Sequence, residues 1–188
     1  MPTWLLPGQG GPALSTPSAC LYFFSGHGLV PVVVRLVTWR WWAGQRWGEV
    51  PAHCAIVIRA PGQDSVEYES IITGTRKSSN FRLSGVVHSR FVDIPRIADT
   101  IEWLDSQVGR PYGFLPAILT GIGELRPSSA IHCGRVWEWL RGGKGGRTAP
   151  LNCSLLCQYA LLAGGVEVEG HPTGLPLSPN ELMRSFQK

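Results

Sequence analysis

The chain has 188 residues and a mass of 20.5 kDa, with 44% hydrophobic and 16% charged residues. That is one domain's worth of chain with enough apolar material for a core, which excludes global disorder. Seventeen Lys+Arg against thirteen Asp+Glu leave a net charge of +4 and a pI near 9.0. This balance favours an anionic surface, such as a cell-wall polymer or a nucleic acid, without naming either.

Residues 1–19 hold Pro2, Pro7, Pro12 and Pro17 and no charge, and read as a Pro/Gly-rich N-terminal arm. An arm of this kind is expected to need a partner or a large assembly to hold it. It has neither a basic leader nor a continuous apolar stretch, so no cleavable export signal is expected. The longest apolar run, Leu29 to Trp42, is interrupted by Arg35 and Arg40, and no transmembrane helix is expected.

Cys20–Phe24, Ala55–Ile58 (led by His53) and Val66–Ile72 read as strands, with Pro61-Gly62 as the turn between the last two. Val86–Ile94 is a further strand. After Pro95, the spacing of Ile97, Ile101, Leu104 and Val108 predicts a helix stopped by Gly109. Residues 126–150, with Trp137, Trp139 and the run RGGKGGR, read as an insertion carrying a short helical piece around Val136 to Leu140. Cys153–Ala163 is predicted as a helix with Asn152 as N-cap and Gly164-Gly165 as its stop. Antiparallel strands with helices at the ends define an α+β domain over residues 20–188.

The five cysteines, Cys20, Cys54, Cys133, Cys153 and Cys157, are odd in number and irregularly spaced, which favours free thiols over a disulfide scaffold. Cys153 falls in the first turn of its helix, where unpaired N–H groups and the helix dipole stabilise a thiolate. Cys157, one turn on, is expected in the core. A thiolate acting on an acyl group needs an acid/base partner. Of the five histidines, His53 opens an apolar strand directly after Pro51 and Ala52 and is held by the sheet. A hairpin turn near Gly62 brings Glu69 opposite or diagonal to His53 on the same face. Glu67 shares that parity one step farther away, at a pocket edge or in solvent.

A histidine at a strand start, a glutamate on the next strand and a cysteine at a late helix start form an ordered set. In this order the chain resembles the circularly permuted NlpC-type branch of the papain-like cysteine hydrolases, the YiiX/YebB-like group. Leu21-Tyr22-Phe23-Phe24-Ser25-Gly26 is similar to the opening strand of that group. Val37-Thr38-Trp39 followed by Pro51 to Val57 is similar to its histidine segment. Tyr68-Glu69-Ser70, Val108 to Phe114, Asn152-Cys153-Ser154-Leu155-Leu156 and Leu177 to Leu182 match its remaining motifs. Ala52, Cys54 and Leu155 depart from the pattern, where the group has a serine, a small aliphatic residue and a glutamate.

The resemblance implies a permuted papain-like fold, an antiparallel sheet or barrel with the nucleophile at a helix N-terminus. It also implies a Cys153-His53-Glu69 triad without cofactor or metal, Tyr112 and Ser154 beside the substrate, and amide bonds of peptidoglycan stem peptides as substrate. Carriage in a virion, as part of a phage tail or baseplate that holds the arm, would deliver a protein lacking an export signal; otherwise it is cytoplasmic. The alternatives are an acyltransferase or thioesterase like the lecithin–retinol acyltransferase group, to which Asn152-Cys153 is also similar, and an inactive structural or binding member of the fold. A zinc site of His132, Cys133, Cys153 and Cys157 lacks a recognised ligand spacing. RGGKGGR lacks the interleaved aromatics of a nucleic-acid binder, and no specific nucleic acid is expected.

Overall fold

Alternation decides the sheet. In β1 (Ser18–Phe24) the side chains of Ala19, Leu21 and Phe23 turn to one face and are buried. They lie across from Ile58, Ile56 and Cys54 of β2 (His53–Arg59), so both strands present one continuous apolar surface. β3 (Val66–Ile71), β4 (Gly74–Ser78) and β5 (Val86–Asp93) complete a five-stranded antiparallel sheet in the order β4-β3-β2-β1-β5. The sheet is open and not a barrel: β4 and β5 each pair on one side, and helices cover the apolar face.

The computed structural model describes residues 18–25, 29–37, 46–59, 64–80, 84–125, 133–137, 150–168 and 175–186. The arm up to residue 17, the Pro61-Gly62 turn and the RGGKGGR run lie outside them. β1 begins at Ser18, so Ser18 and Ala19 belong to the sheet and not to the arm. Between β1 and β2 come α1 (Leu29–Val37) and a short 3-10 turn, Trp47–Glu49.

α2 (Ile97–Gln107) follows β5, and Gly109, at φ 83°, ends it as expected. Its buried residues are Thr100, Leu104 and Gln107; Val108 is the C-cap and faces solvent, contrary to its apolar spacing. The helix stops one position too early for Val108 to join the core-facing stripe. α3 is Phe114–Leu125. α4, residues 133–137, lies inside the expected insertion, and its Cys133 and Trp137 join the core. That stretch is therefore in part a packing element, and the helix begins earlier than Val136.

α5 (Cys153–Ala163) occupies the predicted span, with Asn152 Oδ1 accepting from Leu155 N at 2.9 Å. It packs on β2, β3 and α2, burying Leu155, Leu156, Ala160 and Leu161. α6 (Pro179–Ser185) closes the chain with a reciprocal cap between Ser178 and Glu181.

Where α5 ends, β5 and α2 approach closely. A Cβ at Gly164 would collide with Ile94 Cγ2 and Thr100 Oγ1. Gly164→Ala is expected to destabilise the fold by about 1–3 kcal/mol, read as a lower thermal midpoint. Gly48→Ala, whose Cβ meets nothing within 4 Å, is the control and should leave the midpoint within a degree or so.

Candidate active site

The site is assembled by backbone pinning. Thr75 N donates to Arg110 O and Gly109 N to Thr75 O, both at 2.8 Å, which ties the 109–113 segment to β4. Gly113 N in turn donates to Leu151 O at 3.0 Å, and Ser70 Oγ donates to the same carbonyl at 2.7 Å. Gly113 permits this approach, since a Cβ there would stand 2.6 Å from Pro150 O and 2.9 Å from Asn152 N. The lead-in to α5 is thus fixed from two sides, and Cys153 with it. Ser154 Oγ donates to Asn152 Oδ1 at 3.1 Å, so its hydroxyl serves the cap.

On β2, His53 is the first residue, its ring tilted by 38° against that of Phe24 with centroids 5.7 Å apart. The register Ile56↔Tyr68 and Val57↔Glu67, carried one pair further, sets Glu69 beside Ala55, diagonal to His53. The two side chains meet: His53 Nε2 and Glu69 Oε2 are 2.9 Å apart. Arg76 of β4 lies opposite Glu69 and donates from Nε to Oε1 at 2.6 Å, with Nη2 also on that oxygen. With Nε2 on Glu69, Nδ1 is the imidazole nitrogen left for the thiol.

The charges are coupled through burial. Desolvation works against an imidazolium, but hydrogen bonds and charge from Cys153 and Glu69 outweigh it and raise His53 to about 10. Cys153 is held well below the ordinary thiol range, first by a hydrogen bond from the Cys54 thiol, then, against desolvation, by His53 and the Cys54 backbone. Glu69 is also lowered, because His53 and Arg76 overcome its burial. Tyr112 is raised by desolvation and the neighbouring Cys153 and Cys54, and stays a phenol able to donate toward Cys153. The ring of Tyr112 stands edge-on to Phe114 at 5.0 Å.

The expected site residues therefore come together: His53 and Glu69 in contact, Cys153 against His53, and Tyr112 and Ser154 lining a small pocket of about 50 Å3 with Cys153. A larger cavity of about 600 Å3 is lined by His53 with Glu67, Glu69, Arg76 and Ser78, and Cys153 is not among its lining residues. Two participants escaped the sequence reading. Arg76 sits on a strand with no apolar alternation, and Cys54 stood out only as a departure, whereas here its thiol supports the thiolate. Cys157 is core, fully buried. Leu155, where the resembled group has a glutamate, is also core.

Among the described residues no group of three or more His, Cys, Asp or Glu side chains is placed to hold a metal ion; His132 lies outside them. No helix among them is long and apolar enough to cross a membrane. No family model, curated protein or solved structure matches the chain.

A thiol held well below its ordinary range carries a larger thiolate fraction than an ordinary thiol at the same pH. At pH 6, iodoacetamide is expected to alkylate Cys153 ahead of Cys20, Cys54, Cys133 and Cys157, read by peptide mass spectrometry. His53→Ala should slow that alkylation by about tenfold or more, one pKa unit being a factor of ten in thiolate. Equal rates in both proteins would contradict the coupling.

Proposed function

We propose that the chain is a cysteine hydrolase that cleaves amide bonds through Cys153, His53 and Glu69. The observation that carries this reading is the chain of contacts Glu69–His53–Cys153, with a buried thiol at a helix N-terminus. In the mechanism the Cys153 thiolate attacks the carbonyl carbon, and backbone N–H groups at the start of α5, with the Tyr112 phenol, stabilise the oxyanion. The His53 imidazolium gives its proton to the leaving nitrogen as the C–N bond breaks. The neutral imidazole then takes a proton from water, whose oxygen attacks the thioester and releases the acid and Cys153. Glu69 orients His53 and favours its charged form, while Arg76 holds Glu69.

The resemblance to the permuted NlpC-type hydrolases and the net positive charge support peptidoglycan stem peptides as the substrate. Delivery as a component of a phage tail or baseplate is the route this reading assigns to the protein. A second reading, an acyltransferase or thioesterase acting on an apolar acyl group, is favoured by one observation. Val34 of α1 and Ala117 and Gly121 of α3 line the Cys153 pocket, and the outer faces of both helices expose Leu36, Phe114, Ile118 and Ile122.

Purified sacculi incubated with the protein should release muropeptides detected by mass spectrometry, and Cys153→Ala should release none. Glu69→Gln is expected to retain the fold and lose about 100-fold or more in rate. No fragments from sacculi, together with hydrolysis of a long-chain acyl thioester, would replace the first reading with the second.

A further inference from the structure

The wall of the larger cavity holds one carboxylate that the triad does not use. Glu67 points to the same side of β3 as Glu69, across from Val57 on β2 and Ser78 on β4. It is only 5% exposed, yet it lines the cavity of about 600 Å3 together with His53. The charged groups acting on it are Glu69, Arg76 and His53, and no hydrogen bond holds its carboxylate among the described residues. Arg76 is committed to Glu69, and so is His53. Burial and the like charge of Glu69 push Glu67 up to about 7. A nearly buried carboxylate without its own counter-charge, facing an open space, is a site that a cation would complete.

Chemistry tells which end of a substrate reaches it. His53 must stand beside the leaving nitrogen to protonate it, so the cavity on the His53 side takes the leaving group, and the small pocket at Cys153 takes the acyl side. We propose that Glu67 is a specificity-determining residue that receives a protonated amine carried by the leaving group. This rests on the amide-hydrolase reading for the identity of the bond, while the cation site itself stands on the cavity and Glu67.

Two measurements separate the two. The first is binding of n-butylammonium, with n-butanol as the neutral control, to wild type, Glu67→Gln and Glu67→Asp, followed by NMR shifts of the cavity residues. Saturable binding of the cation alone, weakened about tenfold to a hundredfold in Glu67→Gln and retained in part in Glu67→Asp, is the expected result. The second is turnover of alanine-rich peptides with lysine or Nε-acetyllysine after the scissile bond. Wild type should prefer lysine through KM, and Glu67→Gln should lose that preference with kcat and the acetylated peptide little changed. Cation binding without turnover of either peptide, and with no muropeptides released from sacculi, would keep the amine site and reject amide hydrolysis. Turnover blind to acetylation, or butylammonium binding indifferent to Glu67→Gln, would overturn the proposal.

Discussion

The site depends on the docking of α5 against β2. That contact places the first residue of the helix, Cys153, against both His53 and Cys54, the first two residues of the strand. Because side chains alternate along a strand, His53 and Cys54 leave β2 on opposite faces, and only at the strand's end can one thiol touch both. Cys54 belongs to the core face and His53 to the face that carries Glu67 and Glu69. Cys153 is thereby wedged at the corner where the apolar core meets the charged face of the sheet.

This corner position explains how so much charge survives burial. Each carboxylate, imidazolium or thiolate would be costly alone, but Glu69 is flanked by His53 and Arg76, and Cys153 by His53 and the Cys54 thiol. The arrangement is directional: Arg76 is more than half exposed, His53 less than a quarter, and Cys153 almost fully buried at 5%. Each charged group is thus partnered by the next, from the solvent-exposed guanidinium inward to the thiol. In this setting Cys54 is a donor in place of an inert aliphatic side chain, which suits stabilising a thiolate that lies deep in the protein.

The parts of the fold that were legible had strong local signals. Asn152 and Gly164-Gly165 bracketed α5, and short runs of strand-forming residues marked β1, β2, β3 and β5. The Glu69–His53 contact could be read from hairpin register, because a two-residue period leaves few choices of face. Other elements lacked such signals or carried misleading ones. α1 is dense in β-branched valine, which reads as strand until tertiary packing makes it helix. β4, Gly-Thr-Arg-Lys-Ser, is an edge strand with little apolar character, so Arg76 had no predicted neighbour. α6 did carry a signal, the capping box of Ser178 and Glu181 with Pro179 at the first turn. In Trp137 the insertion hid a core residue, since a single large side chain in a Gly-rich stretch has no periodicity to betray its burial.

The hollow at Cys153 and the larger one lined by His53 differ in chemistry, and that difference bears on the proposed substrate. The Cys153 pocket is small and bordered by Val34, Ala52, Ala117 and Pro179, with room for no more than a short group. The cavity beyond the imidazole is an order of magnitude larger and bears Glu67, Glu69, Arg76 and Asn80. An acyl-lipid substrate would place its bulk on the acyl side, where the enclosed space is least, unless the chain runs out along the exposed faces of α1 and α3. A peptide has polar bulk on both sides of the scissile bond and gains from a roomy, charged leaving-group side. If Cys153 and His53 act as proposed, the asymmetry of the hollows suits a peptide amide better than a long-chain acyl group.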